Sequence, residues 1–181
     1  MFQVTVRTAE HRDISKIMEL KSDAYGVRGY CSQTGTYEQY LNNQFALMAE
    51  IDDEIVGTMS IMYDQGRIPT DEVFPDETAQ VRSRANRVAY YGTFAVKPGM
   101  WRHGTRSVGL ALIHEAIRLA KADQVDAAII IVHPRHIPFY QRFGFKVVAK
   151  RDNMPGLEKA PAVMMVLMDG SCLERLARRA A

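Results

Sequence analysis

The eight residues from Val125 to Val132 read Val-Asp-Ala-Ala-Ile-Ile-Ile-Val, and they constrain the fold more than any other stretch. A run so apolar and so rich in β-branched residues suits a strand covered on both faces, at the centre of a sheet. An amphipathic helical pattern precedes it, from the basic loop Trp101–Ser107 through Lys121, and a short helix is expected over Pro134–Phe143. Helix, buried strand and helix in that succession predict a mixed α/β sheet with helices packed on it.

The other segments can be placed around that centre. Phe2 to Arg7 alternates apolar and polar side chains, as a half-buried strand does. Asp13 is expected to cap a helix whose apolar positions Ile14, Ile17, Met18 and Ala24 fall near helical spacing. Residues 26–43 read as loop plus a short helix. Phe45–Ile51 and Ile55–Met62 form an antiparallel hairpin across Asp52-Asp53-Glu54. Asp64–Asn86 is a polar insertion with two prolines and a short helix over Glu77–Ala85. Val88–Val96 is a tyrosine-rich strand stopped by Pro98-Gly99, and Gly144 ends the helix begun at Pro134. Phe145–Ala149 and Ala162–Met168 are the last strands, joined by a loop carrying Pro155-Gly156. Cys172–Ala181 reads as a helix with basic residues toward its C-terminus, where the macrodipole favours them. There is no internal repeat, low-complexity tract or linker. Residues 1–181 are therefore expected to form one α/β (α+β) domain around a sheet of about six to seven strands.

Charge and cysteine usage narrow the function classes. Lysine plus arginine number 23 and aspartate plus glutamate 21, a net charge of +2, far from the basic excess of a nucleic-acid binder. The densest basic run, Arg82-Ser83-Arg84-Ala85-Asn86-Arg87, reads as a solvated helix face. Cys31 and Cys172 lie far apart and fit no metal-ligand spacing, so free thiols in a reducing cytoplasm and no metal are expected. No apolar stretch approaches the roughly 20 residues of a membrane-spanning helix, and the first residues lack the pattern of a signal peptide.

The segment His133-Pro-Arg-His-Ile-Pro-Phe-Tyr-Gln-Arg-Phe-Gly-Phe145 resembles the strand-end and short helix, Phe-Tyr-x-x-x-Gly-Phe, of GNAT N-acyltransferases. A narrower resemblance is carried by Gly66-Arg-Ile-Pro69, Arg87-Val-Ala…Ala95-Val96, His133-Pro-Arg-His136 and Ala160-Pro-Ala-Val163. Together these look like the long-chain N-acyl amino acid synthase branch, related to acyl-homoserine-lactone synthases. The wider resemblance covers about residues 3–168. It implies a mostly antiparallel sheet in which two central strands, ending at Val96 and Val132, splay apart. It also implies transfer of an acyl group from a pantetheine thioester, on coenzyme A or on acyl carrier protein, to the amine of a small molecule or amino acid. A homodimer through the last strands is compatible with it.

By the same resemblance, backbone groups over Phe94, Ala95 and Val96 bind pantetheine, and the Val96 N–H polarises the thioester carbonyl. Tyr140 holds the position of the general acid; a phenol of pKa near 10 suits protonation of a departing thiolate. The diphosphate of coenzyme A is expected at the start of the helix after that strand, where backbone amides favour anions. The template there, Gln/Arg-x-x-Gly-x-Gly/Ala, fits Arg106-Ser-Val-Gly109-Leu-Ala111 letter for letter, but that register puts His114 and Glu115 at buried positions. Placing Gly104 first keeps the helix in phase and makes the loop Gly104, Thr105, Arg106, Ser107, Val108, Gly109, with Ser107 in place of a glycine. Arg102, His103 and Arg106 add positive charge beside it. Where the acyl amino acid branch tends to carry a glutamate and an arginine on strand four, this chain has Tyr90 and Thr93. His133 is a candidate base, directly or through water, set against a plainer role bonding backbone at a strand end. Tyr25, Tyr30, Tyr37, Met59 and Met62 could line an acyl pocket or simply fill the core. A non-catalytic sensor of acyl-pantetheine and an autoinducer synthase stay open as alternative readings.

Overall fold

The computed structural model describes residues 4–26, 44–100, 102–103, 106–153 and 160–168. The loop expected at 26–43, the Pro155-Gly156 turn, both cysteines and the terminal helix therefore lie outside the described residues, apart from Gly26. Seven strands order as β1-β2-β3-β4-β7-β9-β8 in one mixed, mostly antiparallel sheet, and β5 and β6 form a separate small ribbon. The residues group into two compact units, Met1–Ile61 with Gly92–Ala116 and Met62–Tyr91 with Ile117–Ala181.

In the first unit, β1 (Thr5–Thr8) runs antiparallel to β2 (Gln44–Ile51), from Thr5↔Glu50 to Thr8↔Leu47. Arg7 on β1 grips Asp13 at 2.7 Å and Glu50 at 2.9 Å. Asp13 does not cap the next helix as expected. It closes a 3-10 turn, His11–Asp13, where its carboxylate accepts the Glu10 N–H at 2.8 Å, and α1 (Ile14–Gly26) follows directly. Between β2 and β3 (Glu54–Tyr63), Asp52 and Asp53 both take positive φ, 50° and 64°. Two consecutive left-handed residues are the tight hairpin turn whose twist matches the strands it joins. Residues 56–62 of β3 are all buried, so this strand is covered on both faces. A Cβ on Gly57 would lie 2.9 Å from both Val108 and Leu112 of α4 (Val108–Ala122), so only glycine admits the helix this closely.

In the second unit, β7 (Ala127–Val132) is buried as its sequence demands. It pairs in parallel with β4 (Val88–Val96) on one side and antiparallel with β9 (Ala162–Met168) on the other. β7 begins two residues later than expected. Val125 N–H returns to the Ala120 carbonyl at 2.9 Å and Gln124 N–H to Lys121 at 3.1 Å, with Gln124 at φ 54°, so Val125 belongs to the end of α4. β8 (Lys146–Arg151) pairs with β9 across a bulge between Val147 and Ala149.

The polar insertion is more ordered than its sequence suggests. Its helix, α3, spans Pro75–Arg82 rather than 77–85, because Pro75 supplies a ready first turn, and a single turn α2 (Thr70–Val73) precedes it. Arg82 is not a solvated surface residue. It is held by Asp64 at 3.0 Å and Asp71 at 2.7 Å. Arg151 pairs with Glu77 at 3.0 Å and lies 4.9 Å above the fully buried ring of Phe74. Burial pushes the Asp71 carboxyl up, but the Arg82 hydrogen bonds outweigh it and hold the group below the usual carboxylate range.

Candidate active site

The second half of β4 breaks strand regularity at one residue. Thr93 has φ 44°, and for a β-branched residue this left-handed backbone is a real outlier that costs about 1–3 kcal/mol. Inside–outside alternation fails there: Gly92 is buried, Thr93 exposed, and Ala95 and Val96 are both buried. The Thr93 and Ser60 hydroxyls share a hydrogen bond that pins the distortion to β3. The ladder between β4 and β7 runs from Val88↔Ala127 to Tyr91↔Ile130, although β4 itself continues to Val96.

The backbone beyond Thr93 has a definite orientation. Lys97 N–H is spent on the Val56 carbonyl of β3 at 2.9 Å. Successive residues of a strand direct their backbone groups to opposite edges. Val96 N–H and Phe94 C=O therefore face away from β3. On that edge the Tyr25 hydroxyl reaches the Phe94 carbonyl at a long 3.5 Å. Tyr25 ends a stripe on α1 that includes buried Ile17, Lys21 and Ala24. Desolvation pushes the Lys21 ammonium down to a pKa of about 8. Sequence reasoning passed over Lys21; its i+4 spacing from Ile17 was the available signal.

At the start of α4, β5 (Arg102–His103) pairs antiparallel with β6 (Arg106–Ser107) where a plain loop was expected. Trp101, Gly104 and Thr105, and the side chains of Arg102, His103 and Arg106, lie outside the described residues. Ser107 Oγ accepts the Leu110 N–H at 3.3 Å and so caps the helix. Val108, Gly109, Leu112, Ile113 and Ala116 are buried while His114 is exposed.

In the second unit, His133 follows β7 in extended conformation, and its Nδ1 accepts the Arg135 N–H at 3.2 Å. This is a capping role at a strand end. The ring also meets His136 edge-on at 6.5 Å. Tyr140 lies on α5 (Ile137–Gln141) and packs, with Tyr91, Val132 and Phe145, against Ile130, Val163 and Met165. Its ring is flanked edge-on by Phe139 at 5.1 Å and Phe145 at 6.0 Å. Among the described residues its hydroxyl has no hydrogen-bond partner, and burial pushes its pKa up to about 12. The Tyr91 hydroxyl is buried, also without a partner among the described residues. Tyr90 is buried, in keeping with a packing role. His133 and Tyr140 thus share one unit, and Phe94–Val96 and Ser107–Gly109 share the other. Among the described residues no group of three His, Cys, Asp or Glu side chains is placed to hold a metal ion, and no helix is long and apolar enough to cross a membrane.

Comparison with known proteins decides the family. The sequence model described as N-acyl amino acid synthase FeeM matches residues 16–168. The chain belongs to that family. It is an acyltransferase, and it has the fold of GNAT acetyltransferases that the Phe-Tyr-x-x-x-Gly-Phe segment implied. Solved structures share the fold. FeeM itself, an N-acyl amino acid synthase from uncultured soil microbes, superposes with TM-score 0.83 at 19% identity, covering 99% of each chain. A GNAT acetyltransferase from Streptococcus pneumoniae gives TM-score 0.66 at 19% identity over 93% of this chain and 100% of that one. A GNAT acetyltransferase from Brucella melitensis, in complex with acetyl-CoA, gives 0.58 at 16% identity over 92% and 88%. No curated protein matches.

Proposed function

We propose that this acyltransferase moves an acyl group from a pantetheine thioester to the amine of a small molecule or amino acid. The observation that carries this reading is the backbone around Thr93. A strained threonine inside a strand persists only where the surroundings enforce it, and such strain collects at functional sites. Here it leaves Val96 N–H and Phe94 C=O directed away from β3, a donor and an acceptor of the kind an amide-rich pantetheine arm requires.

In this reading Val96 N–H polarises the thioester carbonyl and stabilises the oxyanion. The neutral amine attacks that carbon, the C–N bond forms and the C–S bond breaks. Tyr140 gives its proton to the departing thiolate. At a pKa of about 12 it is a weaker acid than an unperturbed phenol. The burial that raises the phenol also raises a thiol beside it, which keeps the transfer feasible. His133 takes the amine proton directly or through water; because its Nδ1 accepts the Arg135 N–H, the neutral ring carries its proton on Nε2, and Nδ1 is the basic atom once that hydrogen bond is given up.

The donor is acyl-coenzyme A or an acyl carrier protein thioester, met in the cytoplasm. Arg102, Gly104, Thr105, Arg106, Ser107, Val108 and Gly109 are the residues proposed to meet the diphosphate of coenzyme A. The Ser107 cap already occupies the Leu110 amide, one of those an anion at the helix start would use. Segment 133–151 carries Arg135, Arg142, Lys146, Lys150 and Arg151 and no acidic residue, which suits an anionic donor of either kind. The test supplies purified protein with acyl-coenzyme A in one arm and acyl carrier protein thioesters in the other, each with a panel of amines and amino acids. Free thiol and amide are read together. Equal release of both in either arm is expected and identifies the donor; silence in both arms overturns the reading.

A further inference from the structure

Thr93 takes a left-handed backbone although a glycine stands beside it at position 92. Among the described residues the other non-glycine positions with positive φ are Asp52, Asp53 and Gln124, at a turn or a helix end, so Thr93 alone meets this strain inside a strand. A glycine at 93 would adopt φ 44° freely. Threonine is strained there and brings one group that glycine lacks, a hydroxyl. That hydroxyl is spent on Ser60, a 2% exposed residue of the neighbouring strand β3.

β3 itself offers a contrast. Thr58, on the same face as Ser60, gives its buried hydroxyl to the Leu47 carbonyl at 2.9 Å and so ties β3 to β2. The Ser60 side chain reaches no backbone group; among the described residues its hydrogen-bond partner is the Thr93 hydroxyl. A buried hydroxyl is costly to leave unpaired, so the pair resists opening. Phe94 C=O and Val96 N–H follow within three residues, in the same compact unit as Ser60. A chain has only two soft dihedrals per residue, so a change of φ at 93 re-aims the groups that follow it. Resting on the acyltransfer reading above, we propose that Ser60 is a positioning residue for the donor: its hydroxyl holds Thr93 in the left-handed conformation and so aims Phe94 C=O and Val96 N–H at the pantetheine arm.

Ser60→Ala and Thr93→Val, checked for folding by circular dichroism, delete the pair from opposite sides. Each is expected to lower kcat/KM for the donor about 3- to 10-fold, the population shift that one hydrogen bond can hold, with KM for the acceptor unchanged. The double variant loses no more than either alone, and Thr93→Ser, which keeps the hydroxyl, recovers most of what Thr93→Val loses. Thr93→Gly removes the strain that the bond opposes. On that background Ser60→Ala is expected to change kcat/KM by less than about 2-fold. Wild-type kcat/KM in Ser60→Ala overturns the proposal, and so does a loss that is the same with threonine or glycine at 93. A second measurement is independent of turnover: calorimetric titration of an S-alkyl pantetheine thioether, the part common to both donors. Binding about 3- to 10-fold weaker in Ser60→Ala, and restored in Ser60→Ala/Thr93→Gly, is expected. Equal binding by wild type and Ser60→Ala also overturns this role while acyl transfer stands. Absence of thiol release by the wild type with every acceptor instead sinks the acyltransfer reading itself.

Discussion

Removing one oxygen from Tyr140 separates chemistry from folding. The ring is fixed by Phe139, Phe145 and the cluster at Ile130, Val163 and Met165, whereas the hydroxyl bonds no protein group among the described residues. Tyr140→Phe therefore keeps its packing, and the melting temperature should move by no more than about 2 °C. Loss of a general acid, by contrast, slows turnover by about 100- to 1,000-fold. With its pKa raised to about 12 by burial, the phenol keeps its proton throughout the working range. The deficit of the variant should accordingly be the same at pH 6 and pH 9. An unchanged kcat takes Tyr140 out of the mechanism. A deficit that appears on one side of neutrality only assigns the proton to another group.

At the scale of elements, the end of α4 shows how a boundary can be set by backbone conformation rather than by side-chain polarity. Gln124 occupies the left-handed position at φ 54° that helices usually give to glycine, and both returning hydrogen bonds of the motif are present. A residue with a Cβ is strained there, so Gln124→Gly should stabilise by about 0.5–1 kcal/mol, or roughly 1–4 °C. A fall in the melting temperature would mean that the Gln124 side chain contributes more than the strain costs. The same position explains a misplaced strand start. Val125 is apolar and adjoins an apolar run, so it reads as strand, yet its N–H is committed to α4. Elements whose limits coincide with a change of side-chain pattern were legible, as at Val88–Val96 and Ala162–Met168. The hairpin was legible for the same reason, since three acidic residues interrupt two apolar runs. Nothing in Tyr-Tyr-Gly-Thr-Phe marks the threonine, rather than the glycine before it, for a left-handed backbone. Tyr140 could be nominated as a candidate because its segment has a fixed pattern. Lys21 could not, because a lone lysine in a helix reads as solvent-facing unless its phase against Ile17 and Ala24 is weighed.

At the scale of the whole molecule, response to acid turns on how its carboxylates are held. Arg7 hydrogen bonds to Asp13 at 2.7 and 3.1 Å, and the Glu10 N–H adds a third at 2.8 Å. These lower the Asp13 pKa to about 2, with Arg7 the larger cause. An aspartate in the unfolded chain titrates near 3.9. A group whose folded pKa is depressed contributes stability that is fully present above its unfolded value and is lost as pH falls through the folded one. The window for Asp13 is therefore about pH 4 down to pH 2. The contribution is about 1–2 kcal/mol, because Arg7 remains about a third exposed and solvent screens part of the attraction. Asp13→Asn retains the shape and removes the charge. Urea midpoints measured from pH 2 to pH 7 should show the variant weaker than wild type above pH 5, with the two curves converging toward pH 2. Parallel curves over the whole range would place the acid sensitivity elsewhere, and the Asp64–Arg82–Asp71 cluster, whose Asp71 is also held low, is then the group to examine.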